Sequence, residues 1–198
     1  MTTGLLLSGG MDSLAIAYWK RPGVAYTVDY GQASAKGEFR SSAQICAELG
    51  IRQEFISVDC RQLGSGALAG RAPNPLAPVP EWWPFRNQLL LTLVGMRALD
   101  NGVQELLVGC VKSDGAHADG TADFIAAMDR VFSLQEGNIR VSAPSIALTS
   151  VQLVAAAGVP LETLAWAHSC HIAEYACGFC RGCQKHRHVM EQLGHAPY

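Results

Sequence analysis

The sequence predicts an α/β fold in which a parallel, doubly wound sheet carries helices on both faces. Short apolar runs suited to buried strands alternate with longer segments of helical periodicity. A glycine-rich turn separates the first strand from the first helix, as in many nucleotide-binding sheets. We expect an α/β domain over residues 1–148 and a small helical region over residues 149–198 that carries a cysteine cluster.

The predicted elements follow one another in a regular order. Strands are expected at 4–7, 24–28, 52–58, 105–111 and 139–141, and helices at 12–20, 36–49, 86–100 and 121–134. Gly50 follows the second helix and suits a left-handed cap. The stretch from Gly64 to Pro84 is rich in glycine, alanine and proline, which predicts a long loop without regular structure.

Composition excludes several classes of function. Fifteen Lys and Arg against 17 Asp and Glu give a net charge of −2, so we expect no nucleic-acid partner and no attraction to anionic membranes. No apolar run approaches the roughly 18 residues of a membrane span, and the first residues lack a signal-peptide pattern. We therefore expect a cytoplasmic protein with no membrane association.

The turn after the first strand is a candidate phosphate-binding loop. Its residues are Leu6, Leu7, Ser8, Gly9, Gly10, Met11, Asp12 and Ser13. Two glycines let the main chain approach an anion closely, and the positive end of the helix dipole favours one there. Asp12 suits a magnesium ion on bound phosphates. The simpler alternative is a turn in which Asp12 and Ser13 only cap the helix.

A second candidate site lies near the C-terminus. Four of the seven cysteines form the pattern C-x6-C-x2-C-x2-C: Cys170, Cys177, Cys180 and Cys183. This spacing suits a tetrahedral zinc ion, and a closed four-thiolate site is structural rather than catalytic. Two alternatives are an iron–sulfur cluster and mixed ligation in which His168, His171 or His186 replaces a cysteine.

Both motifs resemble those of a known family. The Ser-Gly-Gly-x-Asp-Ser turn is that of the PP-loop ATP pyrophosphatases, which have an adenine nucleotide alpha hydrolase-like fold and cleave ATP between the α and β phosphates. With the cysteines, the chain is similar to the 7-cyano-7-deazaguanine synthase (QueC) family along its whole length. Three further segments carry the likeness: Asp29-Tyr30-Gly31-Gln32, Pro84-Phe85-Arg86-Asn87 and Ser169-Cys170.

The resemblance implies an ATP-dependent carbon–nitrogen ligase of queuosine biosynthesis. Such an enzyme adenylates the carboxylate of 7-carboxy-7-deazaguanine, amidates it with ammonia, then activates the amide and dehydrates it to the nitrile. The implied cofactors are ATP, Mg²⁺ and structural Zn²⁺. The implied partners are a small deazapurine carboxylate and ammonia or another amine, and we expect a homodimer.

The resemblance also assigns roles to individual residues. Ser8, Asp12 and Ser13 would act in catalysis together with Lys112. Arg86 and Asn87 would help build the substrate or nucleotide pocket, although Asn87 as a helix cap and Arg86 on the surface is an alternative. Beyond the fourth strand, where ligand-contacting loops gather, the substrate-binding candidates are Asp114 and Asp119.

Two departures from the family pattern leave other functions open. The segment 109–119 follows the family motif only in part, and Ser150 stands where the family has a phosphate-neutralising lysine. Lys112 or Arg86 would then meet the developing charge. The alternatives are a divergent ligase that joins the carboxylate to another amine, such as a protein terminus, and a non-catalytic nucleotide-binding module.

Three smaller features are interpreted as structural. We expect Trp82 and Trp83 to pin the long loop to the core rather than stack on a purine. Cys110 is expected to be a buried filler and not a nucleophile. The basic run 185–188 is expected to form a charged, solvated helix face.

Overall fold

The computed structural model describes residues 2–115 and 117–195. Its centre is a five-stranded sheet with the order β3-β2-β1-β4-β5, in which every pair of neighbours is parallel. The strands are β1 (Thr3–Leu6), β2 (Val24–Asp29), β3 (Arg52–Ser57), β4 (Glu105–Leu107) and β5 (Arg140–Ser142). The helices are α1 (Met11–Lys20), α2 (Ala35–Leu49), α3 (Arg86–Asp100), α4 (Ala122–Ser133), α5 (Ser150–Ala157), α6 (Leu161–Leu164) and α7 (Arg181–Gln192).

Alternate strand residues bury their side chains on opposite faces of the sheet, as the two-residue period of a strand requires. On one face, Leu5 and Leu107 belong to an apolar core shared with α1, α2, α5, α6 and α7. On the other face, Tyr26 and Leu106 belong to a second core shared with α3 and α4. Both faces are therefore covered, and the predicted doubly wound parallel fold is confirmed.

The strand order places the ligand crevice between β1 and β4. From β1 the chain winds through α1 and β2 towards one edge, and it later crosses back to place β4 on the other side of β1. In open parallel sheets, ligands bind where the winding direction reverses, outside the carboxyl ends of the strands. The turn after β1 and the segment after β4 are the two chain segments that meet at this point.

The element bounds match the predictions closely, with one informative exception. Helix α3 has the predicted bounds, and Gly50 caps α2 in the left-handed region with a φ of 66°. The loop from Gly64 to Pro84 contains only a three-residue 3-10 turn. Strand β4, predicted to reach residue 111, ends at Leu107. A Cβ on Gly109 would lie 3.3 Å from Ser13, so the segment after β4 leaves the sheet pressed against the start of α1.

The residues after 149 pack against the sheet and its helices and share one of their apolar cores. Helix α5 begins with a reciprocal cap, in which Thr149 and Gln152 each bond the other's main-chain N–H through their side chains. Its Leu153 is fully buried in the core that includes α1, as is Met190 of α7. Among residues 2–115 and 117–195, no helix combines the length and apolarity needed to cross a bilayer.

Candidate active site and metal centre

An open cavity of about 260 Å³ lies at the carboxyl ends of β1 and β4. Its wall is formed by the turn after β1, the segment after β4, the start of α3 and the C-terminal segment from His168 to α7. The end of β2, the starts of α2 and α5, and the long loop at Leu68 contribute further lining residues. The cavity therefore occupies the crevice that the strand order predicts.

The turn after β1 is fixed by contacts of Gly9 with α2 and with the C-terminal segment. Gly9 has a φ of 77°, and its carbonyl oxygen accepts a hydrogen bond from the main-chain N–H of His168 at 2.8 Å. It also lies 2.8 Å from Ser41 Oγ, whose one proton is shared with the Trp166 carbonyl oxygen at 2.6 Å. Gly10 is the N-cap of α1, so Asp12 and Ser13 stand in the first turn of this helix and neither is the N-cap residue.

The start of α1 is suited to bind an anion. The first N–H groups of a helix have no carbonyl partner within it, and the helix dipole adds positive potential at the same end. Here those groups belong to Met11, Asp12 and Ser13, which line the cavity. The hydroxyls of Ser8 and Ser13 lie 3.2 Å apart in the same wall. Together these donors can surround phosphate oxygens.

A lysine bridges two carboxylates across the cavity. Lys185 Nζ lies 2.9 Å from Asp12 Oδ2 and 3.0 Å from Asp114 Oδ1. Burial by itself would lower the pKa of the Lys185 ammonium, but the charges of Asp12 and Asp114 outweigh this effect and raise the pKa. Lys185 is therefore a stable cation at the start of α1.

A second charged cluster lies deeper in the cavity. Burial raises the pKa of Glu38, against the opposing effect of hydrogen bonds from Ser34 Oγ at 2.6 Å and Gln32 Nε2 at 2.9 Å. Burial also raises the pKa of Tyr30, which is 4% exposed. For Arg86, burial would lower the pKa, but Tyr30 and nearby carboxylates outweigh it and keep the guanidinium charged. This cluster can donate to and accept from a planar polar ligand.

The four cysteines near the C-terminus form a metal-binding site. Their sulfur atoms all lie within 4.8 Å of one another. The Cys177 and Cys183 sulfurs are 3.8 Å apart, and those of Cys170 and Cys180 are 3.9 Å apart. The main-chain N–H groups of His171 and Cys183 each donate to Cys180 Sγ at 3.4 Å, which stabilises a thiolate. Among the described residues this ligand group contains cysteines alone and no histidine.

Comparisons with known proteins agree with this geometry. A family model described as queuosine biosynthesis protein QueC matches residues 3–194. The chain belongs to the QueC family. The 7-cyano-7-deazaguanine synthase of Aliarcobacter butzleri is 32% identical to it over 96% of this chain and 90% of that protein. The enzyme of the same name from Methanosarcina mazei is 27% identical over 96% of this chain and 93% of that protein.

A solved structure shares the fold at greater distance. The U34-tRNA thiolase NcsA from Methanococcus maripaludis, determined with its [4Fe-4S] cluster, has a TM-score of 0.56 and 16% sequence identity to this chain. The match covers 98% of this chain and 66% of that chain. At this identity the similarity concerns the fold alone.

The residues predicted from the QueC resemblance are not all in the cavity. Arg86, Asn87 and Asp114 line it. Asp119 lies behind Asn87, whose main-chain N–H and side-chain amide donate to it at 3.1 and 2.7 Å, so it fixes the start of α3. Lys112 is exposed and takes no part in the cavity wall formed by the described residues. Lys112 is the first residue of a 3-10 turn whose last residue, Asp114, lines the cavity.

One interpretation of the sequence is wrong. Lys185 and His186 were expected on a solvated helix face, but both line the cavity, whereas Arg187 and His188 are exposed. The buried Val189 and Met190 on α7 explain the difference, because residues four positions earlier share their helix face.

Two structural interpretations are confirmed. Trp83 is 2% exposed and its ring packs edge-on against Tyr30, with centroids 4.8 Å apart. Trp82 is partly buried in the same loop. Cys110 is buried, and burial raises the pKa of its thiol to about 12, which leaves it protonated near neutral pH. The alternative that Arg86 lies on the surface is wrong, because Arg86 lies in the charged cluster of the cavity.

The conformation of Gly9 gives a test of the phosphate-binding turn. A Cβ at this position would lie 2.7 Å from Ser41 Oγ and 3.0 Å from the Glu38 carbonyl oxygen. We expect Gly9→Ala to weaken ATP binding at least tenfold and to lower the free energy of unfolding by about 2–4 kcal/mol, from left-handed strain and overpacking together. Isothermal titration with ATP and urea unfolding measure the two effects.

Gly50→Ala is the matched control, because Gly50 also has a positive φ but a Cβ there would meet nothing within 4 Å. It should cost about 1 kcal/mol from strain alone and leave ATP binding unchanged. Equal effects of the two substitutions on ATP affinity would contradict the assignment of the turn.

Proposed function

We propose that this protein is a 7-cyano-7-deazaguanine synthase that uses ATP to convert 7-carboxy-7-deazaguanine and ammonia into the nitrile. The observation that carries the proposal is the similarity to enzymes of that name along nearly the whole chain, 32% identity over 96% of it in one case. The cavity supports it, because a phosphate-binding turn and a buried polar cluster face the same space.

The chemistry needs an activated carboxylate, which is a poor electrophile by itself. One carboxylate oxygen attacks the α-phosphorus of ATP, the bond from that phosphorus to the β-phosphate bridging oxygen breaks, and pyrophosphate leaves with the electron pair. Ammonia then attacks the acyl carbon and AMP departs, leaving the amide after loss of a proton. Activation of the amide oxygen by a second ATP, followed by loss of AMP and protons, gives the nitrile.

The residues at the tip of α1 are proposed to act on the phosphates. Main-chain N–H groups from Gly10 to Ser13 bind the pyrophosphate end, where negative charge increases as the bond breaks. Ser8 and Ser13 add hydroxyl donors. Because these groups are fixed before ATP arrives, they need little rearrangement to stabilise the transition state.

The substrate is proposed to bind at the deeper cluster. Arg86 belongs to this cluster, Asn87 and Asp114 line the cavity beside it, and Asp119 positions Asn87. Glu38 joins this group as a further acceptor for the N–H groups of a guanine-like edge. The cluster thus supplies both donors and acceptors to a flat heterocycle.

A magnesium ion fits the oxygen donors near the phosphate turn. Asp12 Oδ1 is buried and has no hydrogen-bond partner among the described residues, although it lines a cavity suited to phosphate. Carboxylate oxygens are the ligands that Mg²⁺ takes when it binds nucleotide phosphates. Asp12 would hold the ion, which would supply positive charge to the phosphate oxygens.

For the four-cysteine site we propose structural zinc. A tetrahedral site with Zn–S bonds of about 2.3 Å places its sulfurs about 3.8 Å apart, close to the 3.8 and 3.9 Å found for two of the pairs. A [4Fe-4S] cluster separates its four thiolates by a core of iron and sulfide and holds them farther apart. Four thiolates leave no open position, so the metal is proposed to hold the start of α7 and not to bind substrate.

A homodimer remains part of the proposal. Helices α3 and α4 pack closely, since a Cβ on Gly95 would lie 2.5 Å from the ring of Phe132. Four large apolar side chains in this region are exposed: Met96 and Leu99 on α3, Val131 on α4, and Leu134 just after α4. Such residues favour self-association. We also propose that no nucleic acid takes part, in keeping with the net charge of −2.

The two alternative functions are not favoured. Ligation to an amine other than ammonia and a non-catalytic nucleotide-binding role were both suggested by Ser150 and by the altered segment after β4. The relatives named 7-cyano-7-deazaguanine synthase cover this chain nearly completely, and the cavity contains the cations Arg86 and Lys185 without a lysine at position 150.

The activity is tested with ATP, magnesium, ammonium and 7-carboxy-7-deazaguanine, with mass spectrometry of the products. We expect the amide followed by the nitrile, with AMP and pyrophosphate. Asp12→Asn should reduce product formation at least a hundredfold because it removes the carboxylate proposed to hold the magnesium ion on the phosphates. Asp123→Asn, an exposed carboxylate at the start of α4, should leave it unchanged.

Each failure of this assay has a distinct meaning. ATP binding without release of AMP would favour the non-catalytic module. Release of AMP without amide or nitrile would favour a different amine. Either result would overturn the proposed function.

The zinc proposal is tested by elemental analysis of protein purified both aerobically and anaerobically. We expect about one zinc per chain and no iron–sulfur absorbance under either condition. Cys177→Ser should lower the zinc content and the melting temperature together, since metal binding contributes to folding. Cys60→Ser, a buried cysteine outside the cluster, should retain the zinc. Anaerobic protein with four irons per chain and little zinc would contradict the proposal.

A further inference from the structure

The start of α7 joins the metal-binding site to the phosphate-binding turn. Cys180 is the N-cap of the helix, and its sulfur accepts from the N–H of Cys183 in the first turn. Both residues belong to the metal-binding group. Lys185 follows Cys183 by two residues, so the segment that positions this lysine is anchored at the metal site.

Lys185 reaches the phosphate-binding turn from this helix. Its ammonium lies 2.9 Å from Asp12, the second residue of α1, and 3.0 Å from Asp114 on the segment after β4. It therefore lies at the point where the two sides of the ligand crevice meet. The Lys185 side chain is 40% exposed, so a ligand in the cavity can reach it.

Few cations are available to a triphosphate in this cavity. Among the described residues that line it, the lysines and arginines are Lys185 and Arg86. Arg86 is hydrogen-bonded to Tyr30 and lies near the carboxylates of Glu38 and Asp119, which already compensate its charge. Lys185 is the cation in direct contact with the phosphate-binding helix.

Two other positions could have supplied a positive charge and do not. Lys112 is exposed outside the cavity wall. Ser150 lines the cavity at the start of α5, is 3% exposed, and its hydroxyl has no hydrogen-bond partner among the described residues. The side of the cavity formed by α5 therefore carries a neutral group, and the charge comes from α7.

We propose that Lys185, carried on the helix that the cysteines anchor, is the cation that binds the phosphates of ATP in this cavity. The proposal rests on the proposed function only in that ATP is the ligand. Before ATP binds, Asp12 and Asp114 hold the ammonium over the site. When the nucleotide enters, Lys185 leaves Asp12 and turns to the phosphate oxygens, and Asp12 would then be free to hold a magnesium ion on those phosphates.

The exchange explains why a lysine suits this position. Its ammonium is a compact charge on a flexible stem with three donors, so it can leave the carboxylates and follow the phosphates within one cavity. As the bond between the α and β phosphates breaks, negative charge accumulates on pyrophosphate. A cation that contacts it then stabilises the transition state more than bound ATP.

The test compares Lys185→Met with wild-type protein that retains its metal. We expect Lys185→Met to raise the dissociation constant for magnesium–ATP at least tenfold and to lower kcat/KM for ATP by about 10²–10³-fold, the usual loss for one preorganised charge-stabilising group. Zinc content and melting temperature should stay at wild-type values. Lys185→Arg, which keeps the charge, should recover at least tenfold of the lost kcat/KM.

Lys36→Met is the matched control, since Lys36 is exposed on α2 and outside the cavity. It should behave as wild type in all four measurements. Magnesium–ATP affinity and kcat/KM within threefold of wild type for Lys185→Met would overturn the proposal. A loss that comes with loss of metal or of melting temperature would also overturn it, because the role of Lys185 would then be structural.

The two proposals can fail separately. If wild-type protein forms the nitrile and Lys185→Met does so equally well, the assignment of Lys185 fails while the function stands. If wild-type protein forms neither amide nor nitrile, the titration with magnesium–ATP still decides the role of Lys185.

Discussion

The two hydrogen bonds to the carbonyl oxygen of Gly9 are the interaction on which the site depends. One comes from Ser41 on α2 and the other from the main chain at His168, so they join the turn after β1 to two distant parts of the sequence. The left-handed conformation of Gly9 turns its carbonyl away from the cavity while the following residues enter α1. The first N–H groups of that helix are thereby left for a ligand.

The sheet gives this turn its place, and the C-terminal segment completes the cavity around it. Because β1 lies between β2 and β4, the tip of α1 opens into the crevice between two strands whose connections run in opposite directions. The segment from His168 into α7 then covers the opening and contributes Lys185. The four cysteines that could hold a metal ion lie in that same segment. The candidate metal site and the proposed nucleotide site are therefore physically linked in this chain.

The fold was predictable from the sequence because its signals are local. The apolar period of α3 predicts where that helix lies, and the glycine after α2 predicts where α2 ends. The proline-rich stretch predicts an irregular loop. Strand β4 was predicted too long, since apolar residues 108–111 look like strand, but beyond Leu107 they leave the sheet and are buried in loop conformation. Val108 and Cys110 are buried in the core shared with α3 and α4, and Val111 in the core shared with α1. The cysteine pattern and the Ser-Gly-Gly turn were equally readable, because the spacing of each is a property of a few adjacent residues.

The parts of the site that were missed depend on tertiary packing. Lys112 was chosen because it follows a strand, but a 3-10 turn directs its neighbour Asp114 inward instead. Lys185 looks like part of a basic surface run until the burial of Val189 and Met190 shows which face of α7 is turned inward. Val189 and Met190, four positions after Lys185 and His186, were the sequence signal that could have placed these two residues on the inward face of α7. Glu38 bonds to Ser34 and Gln32, which are near in sequence, but its place beside Arg86 at the cavity depends on tertiary packing.

A crystal structure with magnesium and α,β-methylene-ATP, which resists cleavage between the α and β phosphates, tests the account most directly. The account predicts the β and γ phosphates within hydrogen-bonding distance of the main-chain N–H groups at the start of α1, with Gly9 still bonded to Ser41 and His168. A triphosphate bound elsewhere in the cavity, with those N–H groups facing solvent or a side chain, would contradict it.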